Sequence, residues 1–202
     1  MEALSGAAKT MTISDDLKKT PQERVDIFCS FVKQRKVAGE LKGTDREKEI
    51  VTEVDRLKIR DQAPLVLAEL LYDSNILDQI KQYRSLMCRL THENTRAQRY
   101  LLLAFEQLVG TVHHDVLLPK VPFILKTFYE LDIIDESVLI EWDEKPSKKY
   151  TSKDVSKEVV KDIHAKAVPL IKWLKEAEED SSEDGSDEED IEVSSFYQLG
   201  LI

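Results

Sequence analysis

The chain has 202 residues, 42% hydrophobic and 34% charged, with only six glycines and six prolines, which supports one packed core and argues against a turn-rich β architecture. Its net charge of −10 is concentrated in residues 176–202, which hold eleven acids and no Lys or Arg, while residues 1–175 set 28 acids against 29 bases. Such an acidic end repels phosphate and excludes a general nucleic-acid binder, and two distant cysteines, Cys29 and Cys88, exclude a disulfide framework.

Residues 1–14 are small, polar and unpatterned, and the sequence predicts a flexible segment there. From residue 15 the helical period takes over. Thr20-Pro21 reads as an N-cap followed by proline at the first helical position, and Val25, Phe28 and Val32 share the face of the helix that follows. Gly39 and Gly43 bracket a loop, and Thr44-Asp45-Arg46-Glu47 has the spacing of a capping box ahead of Ile50, Val54 and Leu57. Ile76, Ile80, Tyr83, Met87 and Leu90 step by four and three along one stripe, as do Leu117, Val121, Ile124, Phe128 and Leu131. Leu101, Phe105, Leu108 and Val112 form a further stripe, weakened by Gly110. Val155, Val159 and Ile163 open a final helix that Pro169 is expected to kink or restart.

The heptapeptides Tyr72–Asp78 and Tyr129–Asp135 match as Y-[DE]-x-[ND]-I-[LI]-D, 57 residues apart. Repeated helix–turn–helix units with short loops predict an all-α, HEAT-like solenoid of stacked antiparallel helix pairs. Residues 15–176 form that domain, and 177–202 form an acidic tail too charged to bury a core and therefore expected to be disordered. No stretch has the order of a signal peptide or the ~20 apolar residues of a membrane span, so a reducing, cytoplasmic setting is expected, and the cysteines read as small buried side chains.

No phosphate-binding glycine loop, nucleophile elbow or zinc-protease helix motif occurs, and the adjacent His113 and His114 point to different faces of a helix. No enzyme, cofactor or metal site is expected. Two segments stand out instead. Leu139-Ile140-Glu141-Trp142-Asp143-Glu144 and Pro169–Asp180 (PLIKWLKEAEED) carry the chain's two tryptophans, each followed by carboxylates. Carboxylates with aromatic rings suit a lysine-rich peptide, since rings accept lysine stems and cations. Large apolar side chains at helical spacing more often pack inward, so the rings are expected mainly in the core and the acids at the rim.

These two segments, LIEWDEKPSKKY from Leu139 to Tyr150 and PLIKWLKEAEED, resemble the paired acidic–aromatic boxes of the W2 family. That family comprises the carboxy-terminal HEAT-like domains of certain eukaryotic translation initiation factors, and the likeness is to the factor 5 branch over residues 20–180. The resemblance implies that Glu141, Trp142, Asp143, Glu144, Trp173, Glu176, Glu178, Glu179 and Asp180 bind the lysine-rich segment of the β subunit of initiation factor 2. It also implies contacts with initiation factors 3 and 1 in a multifactor complex, and regulation of the factor 2 GTPase cycle. The family's activating arginine and zinc region belong to an amino-terminal domain whose pattern is absent here, so the chain reads as the carboxy-terminal portion of a longer protein.

Alternatives are a factor-5-mimic regulator, a nucleotide exchanger resembling factor 2B ε, or an unrelated HEAT scaffold for histones or other basic proteins. In the tail, Ser181 and Ser186 each precede an acid by three residues, Asp184 and Glu189, the pattern acidophilic kinases favour.

Overall fold

The computed structural model describes residues 15–145, 149–150 and 153–183, with Val112 and residues 178–183 as backbone alone. Residues 15–18 are helical, and the α-helices after them are α1 Pro21–Val37, α2 Thr44–Leu57, α3 Ala63–Leu71, α4 Ile76–Gln82, α5 Arg84–Thr91, α6 Thr95–Gln107, α7 His114–Leu117, α8 Val121–Glu130, α9 Glu136–Glu144 and α10 Lys157–Glu183. A π-helical turn, Leu108–Val112, links α6 to α7, and a 3₁₀ turn, Leu118–Lys120, links α7 to α8.

The helices stack in two layers. In one, α1 packs on α3, α3 on α6 and α6 on α9; in the other, α2 packs on α5, α4 on α8 and α8 on α10. Pairs α1/α2, α3/α5 and α9/α10 tie the layers together. This is the all-α solenoid of helix pairs expected from the sequence. One continuous core runs between the layers, through Phe28, Leu57, Leu67, Met87, Phe105, Phe128, Leu139 and Leu170. Asp16 fastens the segment before α1 to α2, its carboxylate 2.6 Å from Lys19 and 2.7 Å from Arg56. Hydrogen bonds from Lys19 and then Arg56 hold the Asp16 carboxyl below its usual range.

Helix ends follow the sequence in one place and depart from it in others. Thr20 caps α1, accepting from the Glu23 amide at 3.3 Å while the Glu23 carboxylate accepts from the Thr20 amide at 2.7 Å. Thr44 does not start a capping box. Gly43, at φ +101°, takes the N-cap position that only glycine adopts freely, and Thr44 becomes the first helical residue. The stripe Ile76–Leu90 is divided between α4 and α5, because Tyr83 turns the chain out of helical geometry at φ −104°, ψ 14°. The two Y-[DE]-x-[ND]-I-[LI]-D segments both leave a helix for a turn. However, Ile76 is the first residue of α4, whereas Ile133 lies buried in the loop before α9.

Pro169 does not restart α10, which runs unbroken from Lys157 to Glu183. Ile163 and Ala167 before the proline, and Leu170, Ile171 and Leu174 after it, are all buried, so packing on both sides outweighs one lost hydrogen bond. The helix also passes the boundary drawn at residue 176 by seven residues, since a helix already nucleated adds residues cheaply. Residues 1–14 and 184–202, with Ser186, lie outside the described residues. Cys29 and Cys88 are half-buried free thiols rather than fully buried ones. No single helix among the described residues is long and apolar enough to cross a membrane.

Candidate site at the α9–α10 edge

Packing of α9 on α10 brings the two acidic–aromatic segments to one edge of the solenoid. Within α9 the successive residues Glu141, Trp142, Asp143 and Glu144 fan around the helix, so they cannot share one environment. Trp142 points inward and is 8% exposed. Its indole Nε1 donates to Glu106 Oε1 of α6 at 2.6 Å, its ring meets Phe105 edge-on, and its other neighbour is the His164 imidazole of α10, stacked at 4.0 Å and 18°. His164 Nδ1 in turn lies 3.1 Å from Asp143 Oδ1. This is a buried polar knot joining α6, α9 and α10, in which every side chain has a partner. Trp142 is therefore an anchor, as the core expectation held.

Trp173 is different. It is half-buried, meets Tyr129 of α8 edge-on at 6.0 Å, and has the Lys126 ammonium 5.8 Å from its ring centre. Burial pushes the Tyr129 phenol up, helped by the carboxylates of Glu136, Asp132 and Glu130. The core expectation fits Trp142 fully and Trp173 only in part.

Among the described side chains the rim acids are already paired within the domain. Glu141 meets Arg99 of α6, and Glu144 Oε1 accepts from Lys175 of α10 at 2.6 Å. Glu176 sits 3.5 Å from Lys172 one turn back. The Lys175 hydrogen bond holds the Glu144 carboxyl below its usual range, and the same bond holds the Lys175 ammonium above its own. Between the two helices, Val168 and Ile171 form the floor of an open groove, edged by Asp143, Lys172, Lys175 and Glu176. Val168 is 53% exposed there. Glu178, Glu179 and Asp180 belong to the helical run of α10, but their side chains, like that of Ser181, lie outside the described ones.

Sequence reading missed Arg99, Glu106 and His164, which lie in other helices 21 to 42 residues from their partners. An acid such as Glu106 inside an apolar helix face, among Leu102, Phe105 and Val109, is the one signal that marked it. Among the described residues no group of three or more His, Cys, Asp or Glu side chains is placed to hold a metal.

The family model described as W2, eIF4-gamma/eIF5/eIF2-epsilon, matches residues 97–184, which span α6 to α10 and hold the whole edge. Eukaryotic translation initiation factor 5 of Mus musculus is 49% identical over 179 residues, covering 89% of this chain and 40% of that protein. The Drosophila melanogaster factor 5 is 46% identical over 180 residues, 89% of this chain and 38% of that protein. The chain thus spans about two-fifths of the length of these relatives. A solved structure, the C-terminal domain of translation initiation factor 5 at low pH, superposes with a TM-score of 0.64 and 32% identity, covering 81% of this chain and 97% of that one.

Proposed function

Because the chain belongs to the W2 family, as a carboxy-terminal domain of the translation initiation factor 5 type, we propose that it is a non-catalytic adaptor. It grips lysine-rich segments of other initiation factors at the α9–α10 edge. The ligands are the lysine-rich segment of the factor 2 β subunit and basic segments of factors 3 and 1. Gathering them in the cytoplasm assembles the preinitiation complex and regulates the factor 2 GTPase cycle. No nucleic acid, membrane or cofactor enters this reading.

The observation that supports it is the convergence of both boxes on one edge, where Glu144 of the first meets Lys175 of the second. Around that contact stand Glu141, Asp143 and Glu176, and the acidic run Glu178, Glu179 and Asp180 continues along the same helix. Surface carboxylates attract a basic segment over roughly 8 Å at physiological ionic strength, and rings such as Trp173 accept lysine stems. Phosphate on Ser181 or Ser186 would add about −1.5 to −2 charge each and strengthen the attraction.

The test is a titration of the folded domain with the lysine-rich β-subunit segment at low and high salt. Affinity is expected to fall steeply with salt, and charge reversal of Glu178, Glu179 and Asp180 to lysine is expected to abolish it with little change in unfolding midpoint. Salt-independent binding would mean an apolar contact and sink this reading.

A further inference from the structure

The groups that would receive a ligand's lysines already hold cations of the chain's own. Lys175 Nζ lies 2.6 Å from Glu144, and Lys126 stands 5.8 Å from the ring centre of Trp173 with Glu130 3.3 Å from its ammonium. These two contacts reproduce, in cis, the ammonium–carboxylate and ammonium–ring contacts of a bound lysine. We propose that Lys175 is an internal pseudo-ligand that occupies the acidic edge of the free domain and exchanges with a lysine of an incoming basic segment, while the more shielded Lys126 stays on its ring. The inference rests on the function proposed above and adds how the site selects its ligand.

Not every pair at the edge can exchange. Asp143 and His164 are shielded, with side chains 22% and 18% exposed, and the imidazole is stacked on Trp142, so opening that contact means opening the core. Glu144 and Lys175 keep 45% and 41% of their side-chain surface in solvent. Their contact breaks by a rotation of the lysine stem, leaving packing intact. It is the exchangeable position.

Exchange has a consequence for specificity. A single ligand lysine that displaces Lys175 remakes the contact it breaks and gains almost nothing. A run of lysines on one chain gains, because once the first is bound the others arrive at high effective concentration, while the displaced internal lysine stays close in solvent. The internal cation therefore sets a threshold that isolated surface lysines on other proteins fail to cross.

Titration of the whole domain with a fluorescent oligolysine peptide at low salt decides this. Lys175→Gln is expected to tighten binding about two- to five-fold, the scale of one exposed ion pair. Lys42→Gln, which removes the same charge from the α1–α2 loop at the other end of the helix array, is expected to leave affinity nearly unchanged. Glu144→Gln combined with Lys175→Gln removes pocket and pseudo-ligand together and is expected to cancel the gain. Equal effects of Lys175→Gln and Lys42→Gln would reduce the change to net charge and overturn the proposal, as would weaker binding by a folded Lys175→Gln. Failure of the wild-type domain to bind oligolysine at all would overturn the adaptor reading itself.

Discussion

Trp142→Ala is expected to cost about 3–5 kcal/mol of stability, the range for removing a large buried aromatic side chain. The indole is 8% exposed and fills the space between Phe105 and the His164 ring. Truncation also removes the donor from Glu106 Oε1, an acid 2% exposed whose desolvation has been compensated in part by that 2.6 Å bond. Thermal unfolding should show a midpoint lower by about 6–20 °C for a domain of this length. Trp142→Phe separates the two contributions. It keeps most of the ring volume and loses only the N–H, so its cost should fall to about 1–3 kcal/mol, that of removing one hydrogen bond to a buried carboxyl group. Trp173→Ala should cost less than Trp142→Ala, since its ring is half-buried against Tyr129. If the order of the two alanine variants were reversed, Trp173 rather than Trp142 would be the anchor.

The second large effect is expected at Gly110. A Cβ there would stand 2.5 Å from Val155 Cγ1 and 2.8 Å from Cγ2, closer than carbon atoms pack. Gly110 sits inside the π-helical turn, where the widened backbone is pressed against the residue that leads into α10. Valine branches at Cβ and has little freedom to turn away, so Gly110→Ala should destabilise by about 1–3 kcal/mol through overpacking, although alanine is elsewhere the better helix former. Val155→Ala removes both methyl groups and leaves the nearest atom, Val155 Cβ, at 3.3 Å. The double variant is therefore expected to be more stable than the sum of the two single losses. Simple additivity in a double-mutant cycle would show that the two residues do not meet.

These two sites also show what a sequence discloses. Stripes such as Ile50–Val54–Leu57 and Val121–Ile124–Phe128 are local, because helical periodicity places their members on one face whatever lies opposite, and both are buried as read. The pairing of the two boxes was legible in composition, since Trp142 and Trp173 are the only tryptophans and each is followed by acids. Their partners were not. Arg99 on Glu141 and Lys175 on Glu144 depend on how α6, α9 and α10 cross, which no spacing encodes. Gly110 illustrates the same limit: the residue weakens a helical pattern when read alone, and only Val155, 45 positions on, explains its lack of a side chain. At Pro169 and Thr44 local rules were overruled, by packing in the first case and by a neighbouring glycine in the second.

In a two-layer array each helix pair leans only on its neighbours, so resistance to opening is distributed along the chain like the links of a short zipper. Helices α3 and α6 are flanked on both sides, whereas α9 packs on α6 and α10, and α10, spread over α8, α9 and the two short turns between α6 and α8, closes the array of described helices. The edge proposed to hold the ligand thus lies at an end of the array, where no further described helix covers it. Amides of α9 and of the first turns of α10 should exchange with deuterium sooner than those of α3 and α6, and a bound basic segment should slow them selectively. Holding a ligand and latching the last pair of helices are then one event.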